Sequence, residues 1–319
     1  MMTNEFWGVD VAKDTLEIAT TKELTTRTLE NNKSAIRKWL KTLPENSCIG
    51  MESTGSYHRL LAELAHTAGI TIYLLQPRNI HHYAKGVGIR AKTDPCDAKI
   101  IARYIENEHP ELHPWIPHTK YQLQLEQLLK RRATVVRARG MLKQSFEEMD
   151  ILGKDSTKLC EHVDDLIRKI ELAINELIDQ NSEVSEKRTR IKSIPGIGDV
   201  VSAGLAMLFH RIPFTKADSA IAFIGFDPQP RESGKWIGKR RLSKRGPSEL
   251  RRLLYNAAMA GAKTETWKPY YLHQRAKGLS STASLVILAR KILKTAFALW
   301  NKAEAVFQQE LVKIACQKP

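Results

Sequence analysis

Four acidic residues carry most of the chemistry this chain offers. Asp10 stands in Phe6-Trp7-Gly8-Val9-Asp10-Val11, Glu52 in Gly50-Met51-Glu52-Ser53-Thr54-Gly55, and Asp94 and Asp97 in Lys92-Thr93-Asp94-Pro95-Cys96-Asp97-Ala98. The first two lie in or at the ends of short apolar runs that read as strands. The last two are three residues apart at the start of a helical pattern, which puts both on one helix face. Hard cations such as Mg²⁺ or Mn²⁺ take oxygen ligands, often one or two carboxylates with water and substrate phosphate completing the shell. Four converging carboxylates would hold two ions about 3.5–4 Å apart, the clamp used in phosphodiester cleavage.

Taken singly, each acid has an ordinary structural explanation. An Asp after a strand is commonly a turn or cap residue. Asp94 is a good helix N-cap, with Pro95 at the first helical position, where its missing N–H costs nothing. Capping does not account for Asp10 or Glu52, and it is compatible with ligation.

The elements that would position these acids follow in quick succession. Residues 5–11, 15–20 and 24–31 read as strands, 32–43 as a helix, 48–52 as a fourth strand, 57–68 as a helix and 71–75 as a fifth strand closed by Pro77. A helix carrying Asp94 and Asp97 comes next. This order is that of a ribonuclease-H-like α/β sheet, in which the first strand, the fourth strand and the last helix bring their acids to one edge. It defines an expected N-terminal domain over residues 1–112.

From about Tyr121 the pattern becomes helical. Leu125, Leu128, Val135, Leu142, Phe146 and Met149 form one stripe, and Val163, Leu166, Ile170, Ala173 and Leu177 form another beyond a break near Gly153. Two long helices over 119–190 predict either a coiled-coil arm usable for dimerisation or a hairpin packed on the body. A mainly helical domain is expected over 191–319. Its opening Ser193-Ile194-Pro195-Gly196-Ile197-Gly198 reads as the turn of a helix-hairpin-helix element, in which Gly196 and Gly198 would expose backbone N–H groups to phosphate. Packing explains the same glycines equally well. Helices are expected at 199–209, 214–226, 247–263 and 281–301, with a final amphipathic piece to about Ala315 and an irregular segment over 227–246.

The composition points to a polyanionic partner. With 319 residues, 50 Lys+Arg against 35 Asp+Glu and a net charge of +15, the chain has room for about two domains. It is basic enough to neutralise nucleic-acid phosphate. Nine basic residues against Glu232 and Glu249 cluster between Arg231 and Arg252. They are Arg231, Lys235, Lys239, Arg240, Arg241, Lys244, Arg245, Arg251 and Arg252, and they form the expected backbone-binding surface. Cys48, Cys96, Cys160 and Cys316 lie far apart, as reduced thiols do, and Cys48 reads as core. No secretory pattern and no run of membrane-spanning length is seen, so a cytoplasmic protein is expected.

Together, Gly8-Val9-Asp10-Val11-Ala12-Lys13, Glu52-Ser53-Thr54-Gly55 and Lys92-Thr93-Asp94-Pro95-Cys96-Asp97-Ala98 resemble the RuvC-like domain of DEDD-type insertion-sequence transposases, a family that includes a pilin-gene invertase. Ile194-Pro195-Gly196-Ile197-Gly198, Phe223-Ile224-Gly225-Phe226, Arg231-Glu232-Ser233-Gly234 and Leu242-Ser243-Lys244-Arg245-Gly246 resemble its second domain, in the expected order. The resemblance implies a site-specific recombinase that moves a mobile element through a circular intermediate. In it Asp10, Glu52, Asp94 and Asp97 match the acidic tetrad, and Ser233 matches a serine that forms a transient covalent link to DNA. The resemblance further implies a structured guide RNA that pairs with donor and target DNA. It also implies a tetramer whose acids and serine come from different protomers. Pro95-Cys96 and Lys235-Trp236 are small departures from the pattern.

Other classes make distinguishable demands. A metal-dependent nuclease or junction resolvase would need the tetrad but not Ser233. An actin-like ATPase would need a second glycine-rich phosphate hairpin, and none is convincing. A non-catalytic nucleic-acid-binding protein leaves four placed acids unexplained, since each weakens phosphate affinity unless a cation intervenes. Around Ser233 there is no His–Asp relay, so activation by metal fits better. Ser243, the rival serine, reads as a cap or phosphate contact.

Overall fold

The computed structural model describes residues 4–22, 25–53, 55–88, 94–147, 149–230, 232–233, 236–238, 240–302 and 307; the side chains of residues 94–96, 150, 232–233 and 236–237 are outside that description. The chain divides into two compact units, 1–117 and 118–319. Among the described residues no helix is long and apolar enough to cross a membrane.

The first unit is α/β. Its elements are β1 (Glu5–Val11), β2 (Thr15–Thr20), β3 (Arg27–Glu30), α1 (Lys33–Leu40), β4 (Ser47–Glu52), α2 (His58–Thr67), β5 (Thr71–Leu75), α3 (Pro77–Gly86) and α4 (Asp94–Glu108). The strands form one mixed sheet in the order β3-β2-β1-β4-β5. β1, β4 and β5 run parallel, while β2 and β3 are antiparallel. Alternation along each strand sends side chains to opposite faces. Val9, Ile49, Met51 and Ile72 pack with Ile36 and Trp39 of α1 and Leu61 and Ala65 of α2. On the other face Phe6, Cys48, Tyr73 and Leu75 pack with Ile80 of α3 and Ile100, Ile101 and Ile105 of α4. Cys48 is core, and burial raises its thiol pKa.

β5 ends at Leu75 as expected, and Pro77 then opens α3, a helix that was not expected, at the first helical position, where its fixed φ suits a helix and no N–H is missed. Asn32 caps α1 by accepting a hydrogen bond from the Ala35 N–H at 2.9 Å.

The second unit is mostly helical. It contains α5 (Lys120–Ser145), α6 (Gly153–Asp179), α7 (Ser182–Lys192), α8 (Asp199–Arg211), α9 (Ala217–Ile224), β6 (Pro228–Gln229), β7 (Glu232–Ser233), β8 (Trp236–Ile237), β9 (Arg241–Leu242), α10 (Ser248–Gly261), α11 (Lys268–Ala276) and α12 (Ser281–Asn301). α5 begins with a reciprocal capping box between Thr119 and Gln122. Arg132 pairs with Glu171 and Arg139 with Asp164, the latter through two hydrogen bonds of 2.5 and 2.7 Å. The numbering rises on one helix as it falls on the other, so α5 and α6 lie antiparallel.

The apolar stripe of α6 sits one residue from where it was expected. Ile167, Ile174 and Ile178 are buried, while Leu166 is 48% exposed. The helix turns 100° per residue, so its isoleucines face inward and the neighbouring leucines sit at the margin. The segment expected to be irregular, 227–246, contains short paired strands, and the expected 214–226 helix is the shorter α9 ending at Gly225. The amphipathic piece expected to reach Ala315 lies outside the described residues apart from Phe307.

One close approach fixes the first unit. A Cβ added at Gly8 would lie 2.1 Å from the Ala98 carbonyl oxygen and 2.3 Å from the Ala102 nitrogen, both backbone atoms of α4. Gly8→Ala should therefore destabilise the unit by about 2 kcal/mol or more, as overpacking against an immovable backbone does. Gly86→Ala, at the end of α3 with nothing within 4 Å of the added methyl, should change stability by less than about 1 kcal/mol. Urea unfolding followed by far-UV circular dichroism would compare them, and equal midpoints for both variants would contradict the packing argument.

Candidate catalytic and nucleic-acid-binding site

The parallel register of β1 and β4 pairs Gly8 with Gly50 and Val9 with Met51. One step further, Asp10 lies beside Glu52 on neighbouring strands, about 4.8 Å apart across the sheet. Alternation puts Gly8 and Asp10 on one face of β1, and Gly50 and Glu52 on the same face of β4. That face is covered by α4. A Cβ at Gly50 would meet side-chain atoms of Ile105 at 2.7 Å and Ile101 at 3.1 Å, as a Cβ at Gly8 would meet Ala98 and Ala102.

The direction of α4 brings its acids to the same edge. The Phe6 ring stacks near His109, centroids 4.7 Å apart, while Gly8 meets residues 98–102, so α4 runs antiparallel to β1. From Gly8 to Asp10 the strand advances about 6.6 Å, and four helical residues span about 6 Å. Asp97, one turn before Ile101, is thus carried towards Glu52, and Asp94, one turn before Ala98, towards Asp10. Asp10, Glu52 and Asp97 are each half-buried. Only the backbone of Asp94 is described.

A fifth carboxylate, missed in the sequence, belongs to this row. Glu17 of β2 is the register partner of Asp10 and is half-buried on the same face. Its Oε2 accepts a hydrogen bond from Thr28 Oγ1 of β3 at 2.6 Å. Strand alternation in Thr15–Thr20 held the signal, but only the antiparallel register shows which acid it faces. Among the described residues no group of three or more His, Cys, Asp or Glu is arranged as a finished metal site. The donors at this edge are nevertheless carboxylate oxygens on rigid elements, which suits a hard divalent cation.

Ser233 lies in the second unit, on a ribbon of nested antiparallel pairs. Pro228 pairs with Leu242, Gln229 with Arg241, Glu232 with Ile237, and Ser233 with Trp236. Ser233 is the last residue of β7. Its side chain, and Arg231, Lys235 and Lys239 altogether, lie outside the described residues.

The ribbon's root is well tied. Ser243 Oγ donates to the Asp227 carboxylate, and the Ser243 N–H donates to the Asp227 carbonyl at 3.0 Å. Gly225 and Gly246 have positive φ and admit backbone contacts that any Cβ would block, at 2.1 Å from the Arg245 carbonyl and 1.9 Å from the Phe223 carbonyl. Arg251 donates to the carbonyls of Ile224 at 2.8 Å and Gly246 at 2.9 Å. Arg252 makes a two-bond ion pair with Glu249. These two arginines therefore have partners within the fold. Arg240, Arg241, Lys244 and Arg245 are exposed, and Lys244 adopts the left-handed region at φ 52°, a strained position for a non-glycine.

The Pro195–Gly198 turn is packed against its own unit. Gly196, at φ 95°, lies where a Cβ would sit 2.6 Å from the Ala257 carbonyl and 2.8 Å from the Gly261 nitrogen. The Trp267 indole donates to the Pro195 carbonyl at 3.0 Å. Gly198 is the N-cap of α8 and has open space around it, but Asp199 in the first turn pairs with Lys192 at 2.7 Å and with buried Arg188 at 3.1 Å. Packing thus explains Gly196, and the anionic Asp199 already occupies the helix start.

Comparison with known proteins bears on both units. A DEDD transposase model of the IS110 type matches residues 7–149, and the model of the transposase IS116/IS110/IS902 family matches residues 188–272. The chain belongs to the IS110-type transposase family. The pilin gene-inverting protein of Moraxella bovis is 27% identical over 311 residues, covering 93% of this chain and 96% of its own. Its counterpart from Moraxella lacunata gives the same identity and coverage. An uncharacterized 44.8 kDa protein of insertion element IS116 from Streptomyces clavuligerus is 30% identical over 155 residues, 46% of this chain and 38% of its own. This family member is a recombinase enzyme that cleaves and rejoins DNA, a transposase or DNA invertase. Membership of a DEDD family points to a divalent metal.

The charge of this transposase is unevenly placed. Residues 1–200 hold 29 Lys+Arg against 28 Asp+Glu, whereas residues 201–319 hold 21 against 7. Nearly the whole surplus lies in the part that contains Ser233. If Arg251 serves the fold and not phosphate, Arg251→Lys should keep the charge yet lose the bridge between Ile224 and Gly246. Stability should fall by about 1–3 kcal/mol, while the slope of log DNA affinity against log salt stays within error of wild type. A flattened slope with unchanged stability would reverse that assignment.

Proposed function

We propose that this chain is the transposase of an insertion sequence, with an RNase H-like (RuvC-like) acidic centre and a serine nucleophile. In this reading Asp10, Glu52, Asp94 and Asp97 bind Mg²⁺ or Mn²⁺, and Ser233 attacks the DNA. The observation that carries the reading is the seating of α4 on Gly8 and Gly50, which aims β1, β4 and the start of α4 at one edge. A structured noncoding RNA guides donor and target DNA, as the family resemblance implies. The active assembly is a homo-oligomer, dimeric through the helical arm at 119–190 and tetrameric on DNA. The acids act from the domain at 1–112 and the serine from that at 191–319. A cytoplasmic location follows for an enzyme acting on the chromosome.

The chemistry assigned to the chain's own groups is an exchange of phosphodiesters. Ser233 Oγ forms a bond to phosphorus as the bond to the leaving sugar oxygen breaks, and the serine proton passes to solvent or to the leaving oxygen. A sugar hydroxyl from another strand then attacks the same phosphorus and releases the serine. Bonds are exchanged without net hydrolysis. Bound divalent metal supplies Lewis-acid polarisation of the phosphate and lowers the pKa of a coordinated hydroxyl. Arg240, Arg241, Lys244 and Arg245 neutralise backbone charge.

Asp10→Asn, Glu52→Gln, Asp94→Asn and Asp97→Asn should each abolish recombination and leave the fold intact, with stability equal to or slightly above wild type once carboxylate repulsion is relieved. Full wild-type activity in excess chelator would refute the metal assignment. Ser233→Ala should abolish the covalent protein–DNA adduct, whereas Ser243→Ala should retain it. Persistence of the adduct on another residue would end the serine assignment. Mixing Ser233→Ala with Asp10→Asn protein should restore part of the activity if acids and serine meet across protomers. No recovery from hetero-oligomers that form and bind DNA would exclude that sharing, unless every site must be intact; a linked wild-type and double-mutant protomer separates those cases.

A further inference from the structure

Helix α3 carries a feature that the reaction above does not use. Arg78, His81, His82 and Lys85 are all exposed, and their spacing of three, one and three residues puts them on one stripe. The helix contains no Asp or Glu. Arg78 Nε donates to His82 Nε2 at 3.3 Å, and the rings of His81 and His82 lie 5.9 Å apart. The stripe spans about 10 Å, the axial rise of roughly three nucleotides at 3.4 Å each.

Its place in the fold is fixed by its contacts with α4. Ile80 is buried in one cluster with Ile100, Ile101 and Ile105 of α4; Asn79 hydrogen-bonds Tyr104, Tyr83 makes an edge contact with Tyr104 at 5.1 Å, and Asn107 Nδ2 donates to Tyr83 Oη at 2.8 Å. The numbering rises together on both helices, so α3 and α4 are parallel and start at the same end. That end is the acid edge, because α3 begins two residues after Leu75, the register partner of Glu52. Residues 1–117 hold 14 Lys+Arg against 14 Asp+Glu, so this unit has no net charge with which to attract DNA as a whole. A local stripe with Arg78 and Lys85 as its cations and imidazoles between them is what a strand approaching that edge requires. α1 is also basic on its exposed face, with Lys33, Arg37, Lys38 and Lys41, but it packs on the opposite face of the sheet.

We propose that the Arg78, His81, His82 and Lys85 face of α3 binds the phosphate backbone of the DNA strand being cut and leads it to the acid edge. The proposal rests on the acid edge being the cleavage centre. Arg78 offers its terminal nitrogens to a phosphate in a fork, while its Nε is braced by His82.

Full-length Arg78→Cys and Lys85→Cys proteins, modified with an azidophenacyl photocrosslinker, would be irradiated with a labelled duplex spanning the terminus of the element that carries the gene and with its adjoining transcript. Modified Lys38→Cys and modified wild type are the controls. Crosslinks from positions 78 and 85 should fall on DNA within about three nucleotides of the cleaved phosphate, with none above background from position 38. An Arg78→Gln, His82→Gln, Lys85→Gln protein should lower the rate of adduct formation about tenfold or more and keep the wild-type unfolding midpoint. Crosslinking to the transcript in place of DNA would overturn the proposal, as would a wild-type adduct rate in the triple variant. Asp10→Asn protein in the same assay tests the underlying reading separately: normal cleavage there would remove the acid edge as the centre, whatever α3 binds.

Discussion

The contact on which the first unit depends is the descent of α4 onto β1 at Gly8. A helix packed on a sheet normally stands off by the thickness of two side-chain layers, about 10 Å between axes. Here the carbonyl of Ala98 and the nitrogen of Ala102 occupy the space a Cβ would take on Gly8, and alanines face the strand. Gly50 gives the same relief to Ile101 and Ile105 on the next strand. Because the helix lies close and antiparallel to β1, its first turn cannot avoid the end of the strands that holds Asp10 and Glu52. Glycine at position 8 is thus as much a part of the acid edge as any carboxylate. A side chain there would lift the helix and part Asp97 from Glu52 without altering a single acid.

That arrangement has an electrostatic cost. Asp10 is flanked by Glu52 on one side and Glu17 on the other, so like charges sit on three adjacent strands. Like charges directly opposite one another in a sheet are destabilising. Thr28 braces Glu17 by a hydrogen bond, but a hydroxyl does not neutralise charge. The unit as a whole has no surplus of positive charge to offset it, since the surplus belongs to residues 201–319. The surplus of positive charge and the row of carboxylates therefore lie on different stretches of the chain.

Much of the α/β unit was legible because its strands obey a two-residue alternation and their ends carry turn residues. β1, β2 and β5 were read to the residue, and β4 to within one. α3 was missed because Pro77 reads as a stop, and a proline stops a strand and starts a helix with equal ease. The α6 stripe was misplaced by one position because leucine and isoleucine alternate along it, and only packing distinguishes the buried Ile167 from the exposed Leu166. Glu17 was invisible for a different reason. Its significance lies in a strand register, and register is set by the pairing of two segments that no single segment encodes.

Gly196 shows how one motif can hold two meanings until geometry separates them. In sequence, Pro195-Gly196-Ile197-Gly198 suits a phosphate-binding turn. In the fold, Gly196 is consumed by the approach of α10 at Ala257 and Gly261, and Trp267 anchors the preceding carbonyl. Gly198 meets no such neighbour, so the two glycines answer to different constraints. Asp199 then decides how the helix start behaves towards an anion. Its carboxylate already collects Arg188 and Lys192, and a phosphate arriving there would have to compete with it for both cations. At the root of the ribbon the Asp227 carboxylate is engaged by Ser243, and Arg241, Lys244 and Arg245 are exposed. The carboxylate at the glycine turn is thus held by two cations, whereas that of Asp227 at the ribbon root is held by a hydroxyl.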